Sequence, residues 1–230
     1  MCLNNHILYD IYIIIYLIII DMIKHILFDL DGVLFGDILE GRDYHDALFI
    51  KAINTILPDI KITQEYHDSN LQGMTTVNKL KLLGISDDDS KKIISLKKEL
   101  ITDYITNHLV PNESQMNMCK QLTMLKYSLY CVSNSDRSVI EMCLKGLNII
   151  EYFSGFIGKE DVKENKPNPE PYLRAYSRFN LKATESLVIE DSVSGIASAK
   201  ASGGNVLEVS GTRDVSFAKI LKAIDTINIL

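Results

Sequence analysis

Three apolar runs in this chain stop abruptly on polar residues. Ile23 to Phe28, interrupted only by Lys24 and His25, leads into Asp29-Leu30-Asp31-Gly32-Val33-Leu34. Tyr127 to Val132 leads into Ser133-Asn134-Ser135-Asp136, and Ser186 to Ile189 leads into Glu190-Asp191. The first run reads as a buried strand. Asp disfavours strands, and an unpaired buried charge is costly. A strand that ends on two carboxylates and a glycine therefore needs a reason. One reading is a polar turn with Gly32 at a positive φ angle. The other is a strand end that binds a divalent metal. This stretch alone does not separate them.

The rest of the chain supplies a frame. After Pro111, helical and strand-like segments alternate. Helices are expected over Met116 to Leu125, Arg137 to Leu147 with Gly146 near its end, Pro169 to Phe179, and Ser192 to Ala201. Short strands are expected over Phe153 to Ile157 and Asn205 to Val209. Such alternation predicts a parallel sheet with helices on both faces. Between the first strand and Pro111 the pattern is helical, with no strand signal. Asp43 to Leu57 has a period near 3.6 and is stopped by Pro58. Thr63 caps a segment ending near Gly73, and Thr75 opens another that stops at Gly84. Ser86 before Asp87-Asp88-Asp89 starts a long helix to about Leu109, because carboxylates favour the positive end of the helix dipole. The expected fold is α/β: a doubly wound, mostly parallel, Rossmann-like sheet with an inserted all-helical cap. Residues 22–36 and 111–230 form the discontinuous core on this reading, and residues 37–110 the cap. Ligands bind outside the carboxyl ends of strands in open α/β sheets. The three polar strand ends then converge on one edge.

Composition narrows the possibilities. With 230 residues, 47% apolar and 23% charged, the chain reads as an ordinary globular protein. Its net charge is −6, from 24 basic and 30 acidic residues, and no long basic run is present, so nucleic acid is not an expected partner. Cys2, Cys119, Cys131 and Cys143 form no CxxC pair, and three lie in apolar periodic segments. Free thiols in a reducing, cytoplasmic compartment are the expectation. Ile7 to Ile20 is nearly all Ile, Leu and Tyr, but its unbroken part, Ile11 to Ile20, is too short to span a membrane as a helix, which takes about 20 residues. It has neither a basic region nor a small-residue cleavage site for a secretory signal. Two readings of residues 1–21 stand: a hydrophobic anchor or extra strand, or an extension preceding a natural start at Met22. Membrane contact is not expected unless these residues act as an anchor. The sequence leaves the protein a monomer or a dimer.

Together the strand ends suggest a chemistry. Carboxylates gathered at one edge raise one another's pKa unless a cation neutralises them. Mg²⁺ suits a site where protein supplies some oxygen ligands and water and phosphate the rest. One carboxylate can then attack phosphorus, giving an aspartyl-phosphate. A second, two residues on, points the same way and can protonate the leaving oxygen and later activate water. Ser133 and its backbone neighbours can hold phosphoryl oxygens. Lys166, in the proline-stiffened stretch Lys163-Glu164-Asn165-Lys166-Pro167-Asn168-Pro169-Glu170-Pro171, supplies a positioned positive charge.

Taken in order, Asp29-Leu30-Asp31-Gly32-Val33, Ser133-Asn134, Lys166-Pro167-Asn168-Pro169-Glu170-Pro171-Tyr172 and Glu190-Asp191-Ser192-Val193-Ser194-Gly195 resemble the four motifs of the haloacid dehalogenase superfamily of phosphohydrolases. The subgroup is the one with a helical cap after the first strand, which includes sugar phosphatases and β-phosphoglucomutase-like proteins. The resemblance runs from Met22 to Val209. It implies that Asp29 is nucleophile and metal ligand, and that Asp31 is general acid/base and lends the metal its backbone carbonyl. It implies that Ser133, Asn134 and Lys166 bind the phosphoryl group. Asp191 is then a metal ligand, with Glu190 a ligand or just behind it. The metal is Mg²⁺, and the cap opens and closes over the site. One departure is that many relatives have an Asp where this chain has Gly36, with Asp37 following. His45-Asp46-Ala47 resembles the first cap helix of relatives.

The cap should select the substrate. Gln72 to Leu80 resembles the cap stretch that faces the active site in sugar-phosphate members. Gly73, Thr75, Thr76 and Lys79 are candidate substrate contacts; the plain reading is a turn and a capped, solvated helix. His45 and His67 read as cap surface or packing, and Arg137 as support for its helix start. The expected function is Mg²⁺-dependent hydrolysis of a small phosphorylated metabolite, a sugar phosphate or phosphoglycolate-like ester. A sugar phosphomutase would use the same phosphoenzyme. From another class, a non-catalytic phospho-acceptor or interaction protein shares the α/β core and acidic Mg²⁺ pocket, as in receiver domains. Those lack the inserted cap and a second Asp placed like Asp31.

Overall fold

The computed structural model describes residues 22–36, 38–39, 42–71 and 74–229. The N-terminal run, Gly73 and Asp37 lie outside the described residues. Seven strands and nine α-helices occur among those described. They are β1 (His25–Phe28), β2 (Ile38–Leu39), β3 (Arg42–Asp43), α1 (Tyr44–Ile56), α2 (Gln64–Asn70), α3 (Thr76–Leu82), α4 (Asp87–His108) and α5 (Glu113–Met124). Then come β4 (Ser128–Val132), α6 (Arg137–Gly146), β5 (Phe153–Ile157), α7 (Glu170–Phe179), β6 (Ser186–Glu190), α8 (Val193–Ala201), β7 (Asn205–Glu208) and α9 (Phe217–Ile229).

Five strands form one parallel sheet in the order β5-β4-β1-β6-β7. The central strand, β1, shows why the runs are so apolar. Successive side chains point to opposite faces, and both faces are covered. Ile26 and Phe28 join Leu129, Cys131, Leu187 and Ile189 in one cluster, packed with Met118 and Leu122 of α5, Ile140 and Leu144 of α6, and Ile220 of α9. Leu27 joins Tyr130, Val132 and Val188 on the other face, under Tyr172 and Tyr176 of α7 and Ala199 of α8. The free cysteines Cys119, Cys131 and Cys143 are buried in the first cluster, as their apolar surroundings suggest.

Register sets the site. His25 lies opposite Ser128 and Ser186, and Phe28 opposite Cys131 and Ile189. The three strands therefore finish level, and the Asp29 N–H donates to the Ile189 carbonyl at 3.0 Å. The switch from apolar to polar residues comes at the same height on β1 and β6, at Asp29 and Glu190, and one residue later on β4, at Ser133.

The helices between β1 and β4 hold a core of their own: Phe49, Ala52 and Ile53 of α1 with Ile62, Leu71, Leu80 and Ile93. Thr63, Thr75 and Ser86 cap α2, α3 and α4 by accepting from Tyr66, Asn78 and Asp89 N–H groups, as the sequence suggests. Another face of α1 and α4, through Tyr44, Leu48, Ile101, Tyr104 and Ile105, joins the sheet's core. Lys98 of α4 pairs with Asp136 at 3.1 Å, just before α6.

Two features differ from the sequence reading. The linker carries a short antiparallel pair, β2 with β3, where only helix was expected. Two-residue strands are too short to show a period. Gly146 ends α6, close to where the helix was expected to stop, and the left-handed conformation beyond it falls to Asn148, at φ 56°. Gly146 is instead a contact point, since a Cβ there would sit 2.6 Å from Leu109 Cδ2. Finally, α9 lies beyond the last segment read as regular. Its Asn228 Oδ1 accepts from the Ile23 N–H at 3.1 Å, pinning the start of β1.

Ile26 is fully buried at the centre of this arrangement. Ile26→Ala should cost about 3 kcal/mol in urea unfolding, against a negligible change for Lys51→Ala on the exposed face of α1. A loss under about 1 kcal/mol would contradict the packing described.

Candidate active site

The strand-end turn is built by backbone. The Leu30 carbonyl accepts from Leu34 and Phe35 at 2.9 and 2.8 Å, and Gly32 sits at φ 83°. Gly32 therefore meets the turn reading. Space dictates glycine as well: a Cβ there would lie 1.9 Å from Asp191 Oδ2. Across the site, a Cβ on Gly195 would come within 2.0 Å of Glu190 Oε1. Two glycines thus let two carboxylates lie directly against main chain.

Lys166 joins the strand ends. Its ammonium is 2.8 Å from Asp29 Oδ1, 2.5 Å from Glu190 Oε1 and 2.7 Å from the Val132 carbonyl oxygen. Burial alone would lower its pKa; the charge of Asp29, then Tyr172 and Glu190, overrides this and raises it well above the ordinary lysine value. Asn134 holds the lysine's main chain at two points. Its Oδ1 accepts from Lys166 N–H at 3.0 Å and its Nδ2 donates to the Lys166 carbonyl at 3.3 Å. Tyr172 lies beneath, donating its hydroxyl to Glu190 Oε1 at 2.8 Å with the ammonium 4.9 Å from its ring centre.

Asp29, Glu190 and Asp191 each place a carboxylate oxygen within 4.8 Å of the others. One ammonium faces three carboxylates. Burial, then the Glu190 charge, pushes the Asp29 carboxyl well above its usual range despite Lys166. Burial and Glu190 raise Asp191 to about 6. Asp191 Oδ1 is buried with no hydrogen-bond partner among the described residues. A hard divalent cation with oxygen ligands fits this donor set and answers both the surplus charge and the orphaned oxygen.

Asp31 is held apart from that cluster. Its Oδ1 accepts from the Tyr44 hydroxyl at 2.5 Å and lies 3.0 Å from His45 Nε2, while its Oδ2 accepts from the Ser135 hydroxyl at 2.9 Å. Burial works to raise its pKa, but His45, Tyr44 and Ser135 outweigh this and lower it to about 2. Two carboxylates two residues apart are thus driven in opposite directions, a pattern seen when their tasks differ. Ser133 is buried, and its Oγ accepts from the Ser135 N–H at 3.0 Å.

The structure adds Tyr44, His45, Ser135 and Tyr172 to the residues singled out in the sequence. His45 is at the site rather than on the cap surface. Its position at the first turn of a helix following the linker was the available signal. Of the cap candidates, Thr75 spends its hydroxyl on the Asn78 N–H at 3.3 Å. Lys79 is buried, with its ammonium 2.6 Å from Asp46 and 3.1 Å from His67. Thr76 Oγ1 accepts from Lys97 at 3.1 Å. Gly73 is outside the described residues. Arg137 pairs with Asp161 at 2.8 Å, away from Asp29 and Asp31.

Residues 26–209 match the family model described as haloacid dehalogenase-like hydrolase. The chain is 29% identical over 199 residues to pyrophosphatase PpaX of Bacillus cereus (strain Q1), covering 83% of this chain and 84% of that protein. It is 30% identical over 142 residues to a haloacid dehalogenase-like hydrolase domain-containing protein of Arabidopsis thaliana. That match covers 57% of this chain and 45% of the relative, so the chain spans under half of the plant protein's length. Among solved structures, β-phosphoglucomutase from Clostridium difficile superposes with a TM-score of 0.72 at 20% identity, over 91% of this chain and all of that one. That likeness is one of fold. No helix among the described residues is long and apolar enough to cross a membrane.

Asp191 is an acid whose pKa, about 6, lies above its ordinary 3.8. Between those values the folded state holds the extra proton, so this group's contribution to stability falls as pH rises through about 4 to 6 and stays low above that. A bound cation removes the deficit, and protons compete with it below pH 6. Millimolar Mg²⁺ should therefore raise Tm more at about pH 7.5 than at about pH 5, a chelator should reverse the shift, and Asp191→Asn should flatten the difference. Equal shifts at both pH values would contradict the assignment.

Proposed function

Because the chain belongs to the haloacid dehalogenase-like hydrolases, we propose that it is a Mg²⁺-dependent phosphatase of small phosphomonoesters. The substrate is a sugar phosphate or phosphoglycolate-like ester, hydrolysed through an aspartyl-phosphate at Asp29. The carrying observation is the division of labour between Asp29, in contact with Lys166 and beside Glu190 and Asp191, and Asp31, held separately by Tyr44, His45 and Ser135.

Asp29, Glu190, Asp191 and the Asp31 backbone carbonyl would hold Mg²⁺, which supplies the positive charge that keeps Asp29 ionised and balances the phosphate. Lys166 adds a fixed charge for the phosphoryl oxygens, with the Ser133 hydroxyl beside it. A carboxylate oxygen of Asp29 attacks phosphorus as the bond to the leaving oxygen breaks, and Asp31 gives that oxygen a proton. Water then attacks phosphorus, Asp31 takes its proton, and the Asp29–phosphorus bond breaks. Asp31 is held ionised in this arrangement, ready for the second half. For the first half Asp31 acts in its protonated form, its carboxyl held in place by Tyr44, His45 and Ser135. Asn134 acts by fixing Lys166. The fold likeness to β-phosphoglucomutase favours one alternative, a sugar phosphomutase, in which the sugar hydroxyl replaces water.

Phosphate release from a panel of phosphomonoesters, with Mg²⁺ and with chelator, checks the reading. Activity should need the metal, and Asp29→Asn should lower kcat at least about 1,000-fold. Full activity in that variant, or no release from any ester, would overturn it. From a hexose 1-phosphate, free phosphate indicates hydrolysis and a shifted phosphate indicates the mutase.

A further inference from the structure

We propose that Glu170 is a positioning residue of the active site, a half-exposed carboxylate that holds the Lys166 loop in shape and so fixes the ammonium that meets the phosphoryl group. The inference rests on the phosphatase reading and adds a residue to it. Both oxygens of Glu170 accept from main chain on the far side of the loop: Oε1 from the Lys163 N–H at 2.9 Å and Oε2 from the Glu164 N–H at 2.8 Å. Successive N–H groups on one carboxylate make a charge-assisted, two-point contact. They hold the Glu170 carboxyl below its usual range, the Lys163 N–H first and then that of Glu164. Glu170 opens α7, and its own N–H donates to Asn168 Oδ1 at 2.9 Å. The Asn168 N–H donates to the Asn165 carbonyl at 3.0 Å, and the Asn168 carbonyl accepts from Ser198 Oγ of α8 at 2.6 Å. Residues 163–170 therefore form a closed loop whose two arms meet at Glu170, with Lys166 at its turn.

The clamp matters because Lys166 is held from two directions. Asn134 grips its main chain, while Tyr172 lies under its ammonium and donates to Glu190 Oε1. Tyr172 is two residues beyond Glu170 on the same helix. The Lys163–Glu164 arm enters Lys166 from the other side. By bonding that arm to the first turn of α7, Glu170 keeps the main chain of Lys166 and the ring beneath its ammonium at a fixed separation. Pro167, Pro169 and Pro171 have no N–H to give, so the loop has few main-chain donors to tie itself together, and the carboxylate engages two of them. A charged group displaced by about 1 Å still attracts phosphate but loses its alignment with the transition state, at a cost in rate that reaches the order of 10²-fold. Holding such a group in place takes surrounding residues whose own conformations are locked.

Kinetics with Mg²⁺ on the ester that the phosphomonoester panel shows to be turned over fastest test this. Glu170→Ala should lower kcat about tenfold or more while KM changes less than about threefold, and Glu170→Gln, which keeps one acceptor oxygen, should restore part of the loss. In a Lys166→Met background, Glu170→Ala should cost less than about twofold further, because the two residues act as a unit. Unchanged kcat in Glu170→Ala overturns the proposal. So does an equal loss in both backgrounds, the mark of a structural role that does not run through Lys166. A second measurement needs no turnover and decides the matter if Lys166→Met is inactive. The buried Lys166 ammonium, bonded to Asp29, Glu190 and the Val132 carbonyl, should give a slowly exchanging NMR signal that Glu170→Ala broadens or abolishes. A signal that persists unchanged in that variant overturns the proposal, and if Glu170→Ala does not fold, Glu170→Gln is read in the same way. If no ester releases phosphate, the phosphatase reading fails, and the NMR signal still judges the clamp.

Discussion

A buried ammonium between two carboxylates governs this structure. Lys166 touches Asp29, Glu190 and the carbonyl of Val132, and so ties together the ends of three parallel strands. Burying an ion pair gains little net stability, whereas removing one partner leaves a charge uncompensated at a cost of roughly 3–5 kcal/mol. Removing Lys166 would leave Asp29 and Glu190 facing each other. Much of the nearby architecture keeps the lysine where it is: the Asn134 amide on its main chain, the Tyr172 ring under it, and a register that finishes the strands level. Even so the balance stays negative, because Asp191 adds a third carboxylate. The protein tolerates this deficit at the sheet edge where the three strands end.

The helical insertion meets this site as part of it. One face of α1 and α4 packs into the sheet's own core, while another encloses the separate cluster around Phe49. The charged contact of Lys98 with Asp136 links the cap to the segment that follows Ser133 and Ser135. Within the insertion, buried charge is balanced locally, Lys79 against Asp46 at 2.6 Å.

Much of the architecture was legible because the sheet is buried on both faces. The middles of such strands, residues 26–28 of β1 and 187–189 of β6, must be apolar, so the polar ends stand out in sequence. Capping residues were equally plain, since Thr63, Thr75 and Ser86 each satisfy a specific N–H group. What escaped notice depends on contacts between distant residues. The β2–β3 pair is too short to have a period, and the contact that makes Gly146 necessary comes from Leu109, 37 positions earlier by numbering. Lys79 looked like an exposed helix cation because Asp46 and His67, which bury it, come from other helices. His45 was hard to place for the same reason: only the folded linker sets it against Asp31.

Tyr44 and His45 are the first two residues of α1, and both bond to Asp31. The acid at the strand end therefore owes its acidity to the position of a helix in the insertion. Moving that helix away by even a hydrogen bond's length would strip Asp31 of two partners that stabilise its charged form, leaving Ser135 and burial to set its proton affinity. Posture and proton affinity become a single variable.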